Sequence, residues 1–303
     1  GSSWLQLGSD IDGEASGDLS GYSLGLSFDG NRLAIGAPYN DDNGNDAGHV
    51  KIYDWNGISW LQMGQDIDGE SSANSFGNSV SLSSNGNRLA IGATGNDGNN
   101  GDNAGHVQVY EWNGSSWLQL GLDIEGESAQ DNSGKISLSD DGNRLAIGAT
   151  GNDGNGNNAG HVRVYEWNGS FWLQLGQDID GEAENDRFGI SLSLSSNGNR
   201  LAIAADKNDG NGNNAGHVRI YDWSGSAWIQ LGQDIDGEAA GDLSGYSSNN
   251  SGISISSDGT LLAIGAIKND DNGSNAGHVR VFGPPIDSLF CPKPLNITIA
   301  HNT

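Results

Sequence analysis

Apolar residues along this chain alternate with small polar ones in short stretches, and no segment follows a helical period. Ser79 to Ser83 reads Ser-Val-Ser-Leu-Ser, and an Asn85-Gly86 pair separates it from Arg88-Leu-Ala-Ile-Gly-Ala93. A polar stretch, Gly95 to Asn103, leads to Gly105-His-Val-Gln-Val-Tyr-Glu-Trp112. Asn113-Gly114 then turns the chain into Trp117-Leu-Gln-Leu-Gly121. Each stretch has period two, as strands packed on neighbouring sheets should. Asn-Gly and Asp-Gly suit the turns between them because both tolerate the left-handed backbone of tight hairpins.

This four-strand unit recurs. Trp-Leu-Gln-Leu-Gly, or a close variant, begins at Trp4, Trp60, Trp117, Trp172 and Trp228, a repeat of about 56 residues. Ala-Gly-His-Val places His49, His106, His161, His217 and His278, the last set back by an insertion around Ser244 to Ser251. Four short strands per unit, repeated, predict an all-β fold: a five-bladed β-propeller of four-stranded blades. Its domain spans 1–283, with repeats at about 4–59, 60–116, 117–171, 172–227 and 228–283. The first strand met, Ser3 to Leu7, is of the fourth kind, and the last unit reaches only its third, His278 to Phe282. The N-terminal strand is therefore expected to complete the last blade, closing the ring and removing its open edges. An arc cut from a larger propeller is the alternative. Residues 284–303 change composition and read as a C-terminal tail, or a linker within a larger chain or assembly. They hold Cys291, the sole cysteine, so no disulfide framework supports the fold.

Composition narrows the partners. The net charge is −26, from 39 acidic and 13 basic side chains. Such a surface repels phosphate backbones and anionic membranes, which sets nucleic acid aside and makes cations the natural counterpart. No apolar run has the length of a membrane span, so no membrane insertion is expected.

Phe76-Gly77 and Phe188-Gly189, the Ser-rich strands and Gly36-Ala37-Pro38 together resemble the FG-GAP repeat, which builds the integrin α-subunit propeller and many secreted proteins. The resemblance covers roughly residues 4 to 282, unevenly. Two units keep Phe-Gly, and the others replace Gly-Ala-Pro by Gly92-Ala93, Gly148-Ala149, Ala204-Ala205 and Gly265-Ala266. It implies a propeller that binds partners or builds surface structures outside the cell. The calcium loop of integrin-type repeats lies between the first two strands. Here that place holds only short turns such as Phe28-Asp-Gly-Asn31, so the site is not carried over.

Alternating strand direction puts the connections after the second and fourth strands on one face, and both are rich in Asp and Asn. After the fourth strand, oxygen ligands fall at relative positions 1, 3, 5 and 9 in every unit: Asp10, Asp12, Glu14, Asp18; Asp66, Asp68, Glu70, Asn74; Asp123, Glu125, Glu127, Asp131; Asp178, Asp180, Glu182, Asp186; Asp234, Asp236, Glu238, Asp242. Calcium takes six to eight hard oxygens from flexible loops, so these residues are the candidate metal ligands and calcium the candidate cofactor. The glycine falls at position 4, unlike an EF-hand. The second loop type, Asp41-Asp-Asn43-Gly-Asn45 and its copies, offers oxygens at similar spacing. Against a metal stands the habit of Asp and Asn of capping turns through side-chain to backbone hydrogen bonds. Five copies of uncompensated carboxylates would repel one another, which favours a cation.

The five His residues each begin a strand and read as structural. Trp55, Trp112, Trp167 and Trp223 flank the same turns as the repeat-opening Trp residues and read as aromatic pairs. Arg32, Arg88, Arg144 and Arg200 read as partners of a neighbouring acid. No residue stands out as unique, so the expectation is a non-enzymatic extracellular or cell-surface module for adhesion or assembly. Its acidic face would meet a protein or glycan partner. Sequons at Asn113, Asn168, Asn249, Asn272 and Asn296 fit a secreted glycoprotein. Two alternatives make different predictions. A lectin would carry equivalent sugar sites on every blade, whereas a propeller enzyme would carry one asymmetric pocket, near the fifth-unit insertion.

Overall fold

The computed structural model describes residues 3–284; the C-terminal tail expected at 284–303, with Cys291 and Asn296, lies almost entirely outside the described residues. Every named element is a strand. The first sheet holds β1 (Ser23–Leu26), β2 (Arg32–Ala37), β3 (His49–Trp55), β4 (Trp60–Gln62) and β5 (Ile67–Asp68). The second holds β6 (Phe76–Leu82), β7 (Arg88–Ala93), β8 (His106–Trp112), β9 (Trp117–Gln119) and β10 (Ile124–Glu125). The third runs from β11 (Ser133–Leu138) through β12 (Arg144–Ala149), β13 (His161–Trp167) and β14 (Trp172–Gln174) to β15 (Ile179–Asp180). The fourth repeats this in β16 (Ser191–Leu194), β17 (Arg200–Ala205), β18 (His217–Trp223), β19 (Trp228–Gln230) and β20 (Ile235–Asp236). The fifth has three strands, β21 (Ile253–Ile255), β22 (Leu262–Ala266) and β23 (His278–Phe282).

The fold is thus all-β and propeller-like, with antiparallel blades whose first strands pack in series, β1 on β6, β6 on β11, β11 on β16 and β16 on β21. The core lies between blades. Val50, Ile52 and Ile67 of one blade meet Phe76, Leu89 and Ile91 of the next. The same joint recurs with Val162, Val164 and Ile179 against Phe188, Leu201 and Ile203. Glycine sets how close the sheets come. A Cβ on Gly36 would lie 2.2 Å from the carbonyl oxygen of Gly77, whose φ of +84° also favours glycine. The Phe-Gly and Gly-Ala motifs are therefore two sides of one contact between neighbouring blades.

Trp pairs clamp the outer rim. Trp55 and Trp60 pack as a tilted pair with centroids 5.4 Å apart, and Trp112 and Trp117 with centroids 5.5 Å apart. Trp60, Trp117, Trp172 and Trp228 also donate their indole N–H backwards, Trp117 to the Met63 carbonyl at 3.1 Å and Trp172 to the Leu120 carbonyl at 2.9 Å. Arginine works the same seam. Arg32 forks onto Asp54 and also donates to the Gly86 carbonyl of the next blade at 2.9 Å.

Two expectations change. The fourth strand is broken into two short pieces, because two extra residues bulge out around Gly64 and its counterparts; both pieces still pair with the third strand. The expected closure is not seen among the described residues. Ser3 to Leu7 belongs to no strand, Trp4 and Leu5 are exposed, and β23 has no outer neighbour among the described residues.

If the joint carries the fold, Phe188→Ala should cost about 3–5 kcal/mol, read as a lower denaturant midpoint with an unchanged slope. Phe188 is fully buried between blades.

Candidate functional site

The bulge decides where the acidic residues go. It turns the second half of the fourth strand back onto the start of the third, so Asp68 pairs with His49, Asp180 with His161 and Asp236 with His217. The four oxygens of one acidic segment then part company. Position 9 turns inward: Asp18, Asn74, Asp131, Asp186 and Asp242 are buried. Asp131 accepts the N–H groups of Glu127 and Ser128 at 3.1 Å, and Asn152 donates to it at 3.2 Å. Asp18, Asp186 and Asp242 receive Asn40, Asn208 and Asn269 in the same way. These are capped turns.

Position 1 accepts from a glutamine four residues earlier, as Gln6 donates to Asp10 at 2.8 Å and Gln230 to Asp234 at 2.7 Å. Position 5 reaches the histidine of its own blade, where it meets position 1 of the next segment. Glu14, His49 and Asp66 form one such group, with ligand atoms all within 4.8 Å; Glu70, His106, Asp123 and Glu182, His217, Asp234 form others. Asp12 and Asp178 follow the same repeat positions as Asp68 and Asp123, and Glu127, Asp131 and His161 gather in the third blade. The structure thus joins carboxylates from two successive segments around a histidine, a grouping the spacing within one segment does not reveal.

Four of these groups carry their own cation, two residues after the histidine. Lys51 bridges Glu14 and Asp66, Arg163 meets Glu127 at 3.4 Å, and Arg280 meets Glu238 at 3.8 Å. Arg219 forks onto Asp234 at 2.9 Å and also contacts Glu182. The second blade has neutral Gln108 there, whose amide donates to Glu70 and Asp123, each at 3.0 Å. Burial lowers the pKa of His106 and of His217 more than the nearby carboxylates raise it, which favours neutral imidazole at neutral pH. Beside them, burial and the charges of Asp123 and Glu70 raise the carboxyl of Glu125, whose buried Oε2 has no hydrogen-bond partner.

A second constellation lies at the inner ends of the blades, and sequence reasoning missed it. Pairing places Lys135 opposite Gly148, where the first, second and fourth blades set Ser23 opposite Gly36, Ser79 opposite Gly92 and Ser191 opposite Ala204. Its amine is buried and donates to Asn78 Oδ1 at 2.8 Å and to the Ser248 carbonyl of the fifth-unit insertion. Burial first, then the nearby Arg187 charge, lowers its pKa from 10.5 to about 8. Arg187 forks onto fully buried Asp206 at 3.1 and 2.9 Å, with its guanidinium 5.9 Å from the Tyr246 ring centroid. Burial raises the pKa of Asp206 against the pull of Arg187.

The insertion ties the constellation together. Asn249 donates to the Tyr22 carbonyl at 2.9 Å, and Asn250 accepts from the Leu192 N–H at 2.6 Å and donates to the Ile136 carbonyl. Beside it opens a cleft of about 380 Å³ lined by Tyr246, Ser248, Asn249, Ser251 and Ser254. The signal for these residues was present in the repeats. Lys135 replaces a serine, Arg187 takes the left-handed position held elsewhere by Ser75, Asn132 and Leu243, and Asp206 follows Ala205 where Thr94 and Thr150 follow their alanines.

Comparison with known proteins assigns the repeats. A model of the FG-GAP repeat matches residues 67–110 and 239–282. These two segments are FG-GAP repeats. No curated protein matches the chain. Among solved structures it is similar to hydrazine synthase of Kuenenia stuttgartiensis, with TM-score 0.53 and 15% identity over 89% of this chain and 65% of that one. It is also similar to the periplasmic gluconolactonase PpgL of Pseudomonas aeruginosa, at 0.52 and 18% over 80% and 64%. A third is a putative 6-phosphogluconolactonase from Bacteroides uniformis, at 0.54 and 13% over 86% and 71%. The chain therefore spans just under two thirds of the length of the first two. At these identities the likeness shows the fold.

The comparisons correct the expectation of a non-catalytic adhesion or assembly module. The blades of this chain share their architecture with structures that carry enzyme names. The argument from absent unique residues also fails, because the axis breaks the symmetry through Lys135, Arg187 and Asp206. The sequence reading weighed loops and strand ends and passed over the inner ends of the first strands.

The built-in cations can be tested directly. Burial pulls Asp234 upward, but the Arg219 hydrogen bonds and charge outweigh it and hold its pKa below the ordinary carboxylate value. A depressed carboxylate stabilises the fold above its unfolded pKa of about 4 and loses that contribution as pH falls through the folded value. Arg219→Met should therefore cost about 1 kcal/mol at pH 7 after solvent screening, and the difference from the parent should shrink as pH falls below about 4 in denaturant titrations.

Proposed function

We propose that this chain is a propeller hydrolase that opens a small hydroxylated lactone at its axial site. The observation that carries the reading is Lys135, a buried amine unique among the blades, with a pKa near 8 and an Arg187–Asp206 pair beside it. Two neighbours of the same fold are named as lactonases, one of them putative, which supports the substrate class.

In this reading neutral Lys135 takes a proton from water as its oxygen attacks the ring carbonyl. Arg187, held in place by Asp206, offsets the negative charge that develops on the carbonyl oxygen. The proton returns to the ring oxygen as the acyl C–O bond breaks, giving a hydroxy acid. The Ser248 carbonyl now on the amine occupies the place of the water, and the adjoining cleft gives the insertion room to move aside.

Turnover should be assayed with gluconolactone and its 6-phosphate. Lys135→Met should lower kcat/KM by about 100-fold or more while leaving the protein folded. The parent rate should fall as pH drops below about 8, where the amine is protonated. No turnover on either lactone, or full activity in the variant, sinks the proposal. Stability gives an independent check. The unfolded chain binds more protons than the folded one between about pH 8 and 10.5, so the parent should gain stability with rising pH there and Lys135→Met should not.

A divalent cation, calcium in the first instance, is a second reading for one acidic group. Glu70, His106 and Asp123 lack the basic residue that serves the other blades, with Gln108 in its place. Their oxygens and Glu125 would hold the ion and gain a counter-charge; it has no step in the chemistry above. Calcium should raise the melting temperature of the parent and leave Gln108→Arg unchanged, because the new guanidinium takes the ion's place. Coincident melting curves for the parent, with and without calcium, would remove this reading. We also propose an extracellular or surface setting, supported by the FG-GAP repeats. No helix among the described residues is long and apolar enough to cross a membrane.

A further inference from the structure

Most basic side chains of this chain have a fixed partner. Arg32, Arg88, Arg144 and Arg200 pair with acids at the rim, and Lys51, Arg163, Arg219 and Arg280 serve the acidic groups around the histidines. The chain has 13 basic residues in all, and Lys293 lies outside the described ones. The remaining four, Lys135, Arg187, Lys207 and Lys268, belong to neither repeated set. In a chain of net charge −26, they stand at the axial ends of the third, fourth and fifth blades.

Lys207 and Lys268 occupy one repeat position, two residues past the end of the second strand. The first three blades hold Tyr39, Gly95 and Gly151 there. In every blade the N–H of this residue donates to the carbonyl of the buried residue that caps the acidic segment, so the backbone stands in the same place five times. The space suits glycine. A Cβ on Gly95 would lie 2.1 Å from the Ala73 carbonyl oxygen, and one on Gly151 would lie 1.9 Å from that of Gln130. The two glycine copies make their N–H···O contact at 3.1 and 3.0 Å, whereas Lys207 and Lys268 make theirs at 3.3 Å and Tyr39 at 3.4 Å. Two adjacent blades thus carry a lysine at a position crowded for any side chain.

This position borders the axial site. Lys207 follows Asp206, the acid that holds Arg187, and its charge opposes the rise in the Asp206 pKa. Ala266, two residues before Lys268, bridges Ser244 at the root of the fifth-unit insertion. In the first blade Tyr39 lies edge-on to Tyr22, whose hydroxyl donates at 3.4 Å to the same Ser248 carbonyl that receives Lys135. Lys207 is half-buried and Lys268 exposed, and neither enters an ion pair among the described residues.

We propose that Lys207 and Lys268 form a phosphate site at the mouth of the axis, taking a phosphomonoester on a ligand whose other end reaches Lys135 and Arg187. The lactone reading enters only through the identity of that other end. Two ammonium groups suit a dianion better than a single carboxylate, and lysine holds phosphate as a point charge. They also invert the local field, since the rest of so acidic a surface repels an anion. A phosphate held away from the reacting carbonyl binds ground and transition states alike, so it acts on KM rather than kcat.

Melting curves in inorganic phosphate test the site without any turnover. With sodium chloride and sodium acetate at matched ionic strength as references, about 10 mM phosphate should raise the melting temperature of the parent by about 2 °C, as a millimolar Kd requires. A chain with both Lys207→Met and Lys268→Met should fold and lose that shift, whereas one with both Lys207→Arg and Lys268→Arg should keep it. No shift beyond the chloride and acetate references overturns the proposal. A shift that survives in the methionine variant means an adventitious ion only, and overturns it too. In turnover, the methionine variant should raise KM for the 6-phosphate of gluconolactone by about 10-fold and leave kcat/KM for gluconolactone unchanged. Equal losses on both lactones would give the lysines a structural role and sink the phosphate site. Because the melting test needs no turnover, a chain inactive on both lactones can still show the site.

Discussion

Everything in this molecule depends on how closely one sheet can lie against the next. Gly36 faces the Gly77 carbonyl at a distance no side chain tolerates, and Gly148 faces that of Gly189 in the same way. With the backbones so near, the Val-x-Ile and Val-x-Leu rows interlock and the Phe76 and Phe188 rings vanish from solvent. The outer Trp and Arg contacts follow from that spacing, since each reaches a carbonyl that belongs to the adjacent unit. Where Phe is absent, Ser133 and Ser244 fill the place fully buried, with hydroxyls lacking a partner, so the joint tolerates a weaker version of itself.

A repeat protein multiplies its electrostatic problem along with its folds. The carboxylates around each histidine come from successive segments, and a free-standing row of them would destabilise the disc. Lys51, Arg163, Arg219 and Arg280 answer this from within the sheet, the first three on strands held by pairing on both sides. Much of the acidic composition is therefore structural. Gln108 is the exception, and it leaves one group with hydrogen bonds but no counter-charge.

Symmetry is broken where the blades converge. The first strands approach one another at the axis, so a single long side chain there touches several units. Lys135 takes that role, and the fifth-unit insertion reaches back to Tyr22, Ile136 and Leu192. A buried amine near a buried acid paired with a half-buried guanidinium is costly to maintain, which is the usual reason to look for chemistry there.

The period-two pattern, the turn dipeptides and the regular Trp and His markers determined the strands, their order and the antiparallel blades, because those are local consequences of which side chains fit a pleated sheet. Phe-Gly and Gly-Ala likewise identified the repeat, since each motif is short and its backbone demand is visible in one unit. Tertiary structure decided the rest. A two-residue bulge moved the acidic motif from a loop into the sheet, and register brought Glu70 and Asp123 together across more than fifty residues of chain. Lys135, Arg187 and Asp206 each look like ordinary substitutions along the chain. They become a site only because two neighbouring blades point them at one axis, and convergence of that kind is a property of packing that spacing along a chain does not encode.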